Sequence, residues 1–362
     1  MTTVASTTKT VVSAPAVPDR RAGRLAVTVS TLVVILVAGM LVSGFVGELS
    51  AGFTDVIGTA LARIGIHTSW QPKSEIIREA LWNIRFPRVL MSLAVGAALA
   101  VGGAVMQAIF GNPLAEPGVV GVSAGGALGA AIAIAFSVAG TWSPALFAFV
   151  GSLAATLLAY STARSGGRTE MVTLLLTGIA VNAVAAAGLA FVIFASDTAA
   201  REQIIFWQLG SLNGTRWNEL FIVAGVVTAG SLAALAMARQ YDVLSLGERS
   251  AAHLGVRVER LRIGSIVLVA LLTGAAVAFV GIVGFVGLVV PHVVRMILGP
   301  AHRSLILVSM LGGAALTVWA DMAARTLVHG ADLPIGMLTA LAGGPFFFWL
   351  VRRTRHDAGG WA

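Results

Sequence analysis

The stretch Arg239–Arg262, RQYDVLSLGERSAAHLGVRVERLR, is a charged island between two blocks of hydrophobic helices. It carries its own helix grammar. Ser245 and Glu248 have the S-x-x-E spacing of a capping box, in which each side chain satisfies the other residue's free backbone N–H, so a short helix is expected to start there. Gly255 is placed to stop it, because glycine accepts the left-handed conformation that follows a last helical turn, leaving about ten helical residues on a membrane surface. An ordinary solvated loop would show the same charges. In a chain this oily the stretch reads instead as a handle on which a separate motor pushes.

Working outward, composition sets the class. The 362 residues are 57% hydrophobic and 11% charged, with 42 glycines, whereas soluble domains are typically about a quarter charged. The chain is therefore expected to be an integral membrane protein in the lipid bilayer. The absence of cysteine excludes disulfides, thiolate metal sites and cysteine nucleophiles. A net charge of +8 would suggest nucleic acid in a soluble protein, but these arginines fall between apolar runs and are read as topology signals, not as a nucleic-acid site.

Residues 1–24 are polar and end in the basic group Arg20, Arg21 and Arg24. They are expected to form a disordered cytosolic tail, since the apolar run that follows is too long for a signal-peptide core. A span needs about twenty apolar residues. Ten candidates follow: Leu25–Val46, Val89–Phe110, Val119–Ala139, Trp142–Tyr160, Met171–Phe194, Leu220–Ala238, Ile263–Val280, Phe285–Leu298, Leu305–Leu327 and Ile335–Val351. They define a transmembrane domain over 25–352 and a cytosolic C-terminal tail over 353–362. With the N-terminus inside, Lys9 and fifteen arginines are cytosolic while Lys73 and seven arginines lie outside. Both termini are therefore expected in the cytosol of a multi-pass protein of the cell (inner or plasma) membrane.

Three of the outside arginines stand at span ends. Arg85 and Arg88 lie in NIRFPR before the second span and Arg325 at the end of the ninth. Any one alone fits snorkelling to the headgroups. Together they suggest a cationic rim for the carboxylates of a docked protein.

An internal echo points to a two-fold build. Gly96-Ala97-Ala98-Leu99-Ala100 is answered by Gly274-Ala275-Ala276-Val277-Ala278, and Pro113 by Pro291 at the same offset. The second copy begins five spans later, so the halves run in opposite directions, as in inverted-repeat transporters. Gly121, Gly125 and Gly129, four apart, should let another backbone approach the third span, and Gly281, Gly284 and Gly287 should fill a tight turn between the seventh and eighth.

Catalytic chemistry is sought without result. The only lysines, Lys9 and Lys73, do not follow a glycine-rich loop, so the chain is not expected to bind ATP through a P-loop. The six histidines show no i, i+4 pair, and no metal site is expected. Gly121-Val122-Ser123-Ala124-Gly125 matches a hydrolase elbow, but it lies in a Gly/Ala membrane helix with no histidine placed to activate it. Asp321 is the one carboxylate well inside a span and is expected to make a helix-packing hydrogen bond, because one aspartate is too little for a proton relay.

The runs IRFPRVLMSLAVGAALAVGGAVMQAIFGNPLAEPGVVGVSAGGALGA, FWQLGSLNGTRW, LSLGERSAAHLGV, VGFVGLVVPHVVRMILGPAHR and DLPIGMLTALAGGPFFFWL resemble the FecCD family of ABC importer permeases, which carry ferric siderophores, haem or cobalamin. The resemblance covers about Ile84 to Leu350 and implies an all-α polytopic fold of ten transmembrane helices per subunit with an inverted repeat, the type II importer permease. It implies a homodimer, two cytosolic ATPase subunits holding ATP and Mg, and an extracytoplasmic substrate-binding protein. This chain would hold no cofactor and catalyse nothing itself.

By the same resemblance, residues 245–255 look like the coupling helix that seats in the ATPase, with Ser245, Leu246, Gly247, Glu248, Arg249, Ala252, Leu254 and Gly255 at the contact. Arg85, Arg88 and Arg325 match arginines that meet glutamates of the binding protein. Asn112 and Leu114 resemble the cytosolic gate between the second and third spans, with Thr169 and Glu170 at the start of the fifth as its opposite member. Gly299-Pro300-Ala301-His302-Arg303 departs from the family's G-x-D-H-R, which puts a local ion pair of His302 in doubt. Ser123 in GVSAG is closer to haem and cobalamin members than to siderophore members, so haem is favoured, with a ferric siderophore next and cobalamin as the alternative. An ion-coupled secondary transporter is the rival from another class.

Overall fold

The computed structural model describes residues 20–47, 51–140, 142–166, 168–328 and 330–357. Most of the expected N-terminal tail and the last five residues lie outside them. Where the tail was expected to continue, α1 (Arg20–Phe45) has already begun, so Arg20, Arg21 and Arg24 are helical, and the last helix runs on to Asp357.

Every one of the ten apolar runs is a helix: α1, α4 (Phe86–Phe110), α5 (Val122–Ala135), α6 (Ser143–Ala163), α7 (Met171–Ala195), α9 (Trp217–Leu244), α11 (Val258–Val280), α12 (Val286–Leu298), α13 (His302–Thr326) and α14 (Ile335–Asp357). Between them lie short helices that hydropathy does not signal: α2 (Phe53–Arg63), α3 (Glu75–Ala80), α8 (Thr198–Gln208) and α10 (Glu248–His253). A π turn over Leu81–Arg85 joins α3 to α4 just before Pro87, which has no N–H to give to the carbonyl four residues back. An antiparallel bridge of Arg164–Ser165 with Arg168–Thr169 closes the turn between α6 and α7.

Among the described residues seven helices are long and apolar enough to cross a bilayer, and the other three offer shorter apolar stretches, in α14 only Ile335–Trp349. At 1.5 Å per residue the 14 residues of α5 and 13 of α12 reach about 20 Å, less than the roughly 30 Å hydrocarbon core. The expected third span was too long at both ends: its start is spent in a 3₁₀ turn, Pro117–Val120. Both short helices open on a left-handed residue, Gly121 (φ 92°) and Phe285 (φ 67°). Both openings lie inside the bundle. Gln107 of α4 donates to the Leu288 carbonyl at 3.2 Å, and the Phe285 N–H reaches Glu116 at 3.4 Å. The chain after α4 thus folds back to meet the start of α12.

The hub is α4, which is buried along almost its whole length. Between apolar helices in lipid, attraction comes from close van der Waals contact, which small residues allow. A Cβ on Gly96 would lie 2.2 Å from the Gly313 carbonyl oxygen of α13, and one on Gly103 1.8 Å from that of Gly287 in α12. The same device joins α5 to α6, where Gly125 and Gly129 face the Gly151 and Phe147 carbonyls. Gly281 (φ 77°) makes the expected turn against the Trp207 carbonyl, whereas Gly287 belongs to α12.

Helix pairing follows the two-fold scheme. Gly96 sets the second span against the ninth, and Gly274 sets the seventh against the fourth at Phe149 and Ser152. The sequence echo itself is not in register: Pro113 lies in a loop while Pro291 is inside α12, and α4 runs further beyond Gly96 than α11 beyond Gly274.

Candidate functional site

At one end of the bundle α9 continues past the expected end at Ala238 to Leu244, and Ser245 becomes its C-cap. The buried Tyr241 hydroxyl bonds Ser265 at 2.8 Å and holds this extra turn against α11. The capping box therefore does not form. Ser245 Oγ donates to the Asp242 carbonyl, Gly247 (φ 99°) starts α10, and the helix is six residues long, not ten. Gly255 ends it as expected, left-handed at φ 86°, with its N–H on the Ala252 carbonyl and that of Val256 on Ala251.

The helix touches the bundle through the buried Ala251 and leaves Arg249 and Ala252 exposed, with Leu246 65% and Leu254 64% exposed. Leu246 and Leu254 flank α10 on its two ends, two exposed leucines of the kind that docking surfaces present. Behind α10 the buried Arg262, on the first turn of α11, pairs with Glu248 and donates to the Thr169 carbonyl at 3.1 Å. Glu259, three residues earlier, accepts from the Thr169 N–H at 3.0 Å and from its hydroxyl.

The gate expectation divides accordingly. Asn112 and Leu114 are exposed at the end of α4, where Asn112 Oδ1 accepts the Leu114 N–H at 2.9 Å. Glu170 is exposed and holds the Thr173 hydroxyl. Thr169 is buried with every polar group engaged; it is an anchor, not a free gate side chain. His302, whose local acid was in doubt, has a hydrogen-bond partner from elsewhere in the chain: Asp242, 60 residues away, lies 2.8 Å from its Nδ1 and also accepts its backbone N–H.

At the opposite end of the bundle the three arginines are not an open rim. Arg85 and Arg88 are buried, and Arg85 donates to the Gly44 carbonyl at 2.9 Å. Arg88 Nε holds both oxygens of Asp321, at 3.0 and 3.2 Å, and its Nη1 holds Asp332 at 2.6 Å. Arg325 Nε sits 3.2 Å from the same Asp321, and its other nitrogens reach Ser43 and the Val46 carbonyl at the end of α1. Asp321 is thus the centre of an ion-pair cluster joining α4 and α13, more than the packing hydrogen bond expected of it. A cavity of about 630 Å³ opens onto the cluster, lined by the three arginines, Asp332 and Asn213 among others. Among the described residues no group of three or more His, Asp or Glu is placed to hold a metal.

Ten apolar helices, two of them too short to cross a bilayer, carry a surface helix tied to a hairpin. Residues 34–353 match the FecCD transport family. The chain belongs to the FecCD transport family. It is 40% identical over 335 residues to the hemin transport system permease protein HmuU of Yersinia pestis, covering 91% of this chain and 96% of that one. It is 42% identical over 270 residues to the cobalamin import system permease protein BtuC of Halobacterium salinarum, covering 75% and 72%. A structure solved in an inward-facing conformation and assigned to the metal-chelate type of ABC transporter superposes with a TM-score of 0.79 at 30% identity, over 91% of this chain and 99% of that one. This FecCD permease is therefore a multi-pass subunit of the ABC importer class.

The sequence reading missed Asp242, Glu259, Arg262 and Asp332, the partners that fix the named residues. A signal existed for two of them: Glu259 and Arg262 are charged residues three apart on one helix face, next to a span that could not bury them without partners.

Proposed function

We propose that this permease works as a homodimer that passes haem from an external binding protein to the cytosol, driven by two ATPase subunits that hold ATP and Mg. The observation that carries this reading is the 40% identity to the hemin permease across 96% of its length. The dimer seam would be built on α7, which buries only Leu174, Gly178 and Ala185 within its own chain and so has most of an apolar helix left for lipid or a second copy. Both termini would be cytosolic, on the side of α10, whose exposed Leu246, Arg249, Ala252 and Leu254 would seat in the ATPase, with Glu248 behind them. Asn112, Leu114 and Glu170 would narrow the inner exit, with Thr169 anchoring it. At the outer end a binding-protein carboxylate would enter the cavity lined by Arg85, Arg88 and Arg325 and accept hydrogen bonds from their guanidinium groups.

Reconstitution tests this. Purified permease, its ATPase and its binding protein in sealed vesicles should accumulate haemin only with ATP. Preferred uptake of ferric citrate or cobalamin would move the cargo assignment within the family, and uptake by the permease alone would refute the division of labour.

A further inference from the structure

We infer that Arg262 is a positioning residue that links the surface helix α10 to the inner end of α7, so that a push on α10 moves the hairpin at residues 164–170. This rests on the ATPase-driven reading above.

Three observations carry it. The charged link to α10 from the bundle is the Glu248–Arg262 pair, made by an exposed carboxylate and a buried guanidinium. The same guanidinium donates through Nη1 to the Thr169 carbonyl at 3.1 Å, so one rigid planar group touches both the surface helix and the hairpin. Glu259 closes the clamp from the other side through the Thr169 N–H and hydroxyl. Thr169 is two residues before α7 begins, and the Thr173 hydroxyl on the first turn of α7 donates to Glu170, the residue between them. Its inner end therefore follows the hairpin, and the hairpin follows the first turn of α11. A flexible lysine at 262 would keep the charge but lose the fork that reaches both partners.

The chain has no cysteine, which permits clean double labelling. Nitroxides at V172C, an exposed position on the first turn of α7, and L307C, on the inner part of α13, should report a distance change when the assembled transporter is given ATP and vanadate. R262M should abolish that change while the ATPase stays bound and hydrolyses ATP, R262K should restore part of it, and E248Q should reduce it. If R262M is not recovered folded, E248Q and R262K decide alone. A distance change of full wild-type size in R262M, or in both R262K and E248Q, or no change in the wild type, overturns the inference while leaving the transport reading intact. Failure of the wild type to bind any ATPase overturns both.

Discussion

Replacing Asp321 with asparagine should destabilise the permease by about 3–5 kcal/mol, the usual cost of removing one partner from a buried charged cluster. The geometry sets the size. Asp321 and Arg88 are 1% and 8% exposed, so water screens neither. Contacts of 3.0 Å to Arg88 and 3.2 Å to Arg325 each amount to roughly 5 kcal/mol of attraction at an effective dielectric constant near 20. Much of that offsets the cost of burying the charges. Asparagine keeps the shape and one acceptor, but it leaves Arg88 and Arg325 repelling each other, with Asp332 still paired to Arg88. The assay is unfolding by sodium dodecyl sulfate in mixed micelles, followed through the fluorescence of the eight tryptophans. D321N/R325M should recover part of the loss, since one unpaired charge is gone. A D321N variant within about 1 kcal/mol of wild type would refute the argument, as such a value belongs to exposed ion pairs. A double variant no better than D321N would show that packing, not charge, set the loss.

Other consequences follow from the same geometry. L246D/L254D should remove the ATPase from detergent pull-downs while leaving the unfolding midpoint unchanged, because both side chains face water, and an unchanged pull-down would place the docking surface elsewhere. G103A should cost about 1–3 kcal/mol by overpacking, its Cβ lying 1.8 Å from the Gly287 carbonyl oxygen, whereas G225A in α9, with nothing within 4 Å, should be neutral or gain up to about 1 kcal/mol of helix propensity; equal values in the same unfolding assay would count against the packing account. E248K sets a like charge against Arg262 and should lower haemin uptake while ATP hydrolysis continues; normal uptake per ATP would dismiss a coupling role for that carboxylate.

The sequence by itself determined the ten membrane helices, because each is a run of apolar residues whose need to satisfy its own backbone in lipid leaves helix as the available form. It also determined the close approaches at Gly125 and Gly129, the stop at Gly255 and, through its motifs, the family. Only the tertiary structure decided that α5 is a short helix entered by a 3₁₀ turn, since hydropathy cannot tell a crossing from a segment that folds back within the bundle. It decided likewise that Ser245 ends α9 and does not cap α10: the local spacing favoured a box, but the buried Tyr241–Ser265 bond carried the preceding helix through it. The outer arginines show the same limit most plainly. Their charge and place at the span ends were legible, yet Asp321, 233 residues from Arg88, and Asp332 become partners only when α13 packs on α4, and no local pattern encodes a contact that the fold alone brings within 3 Å.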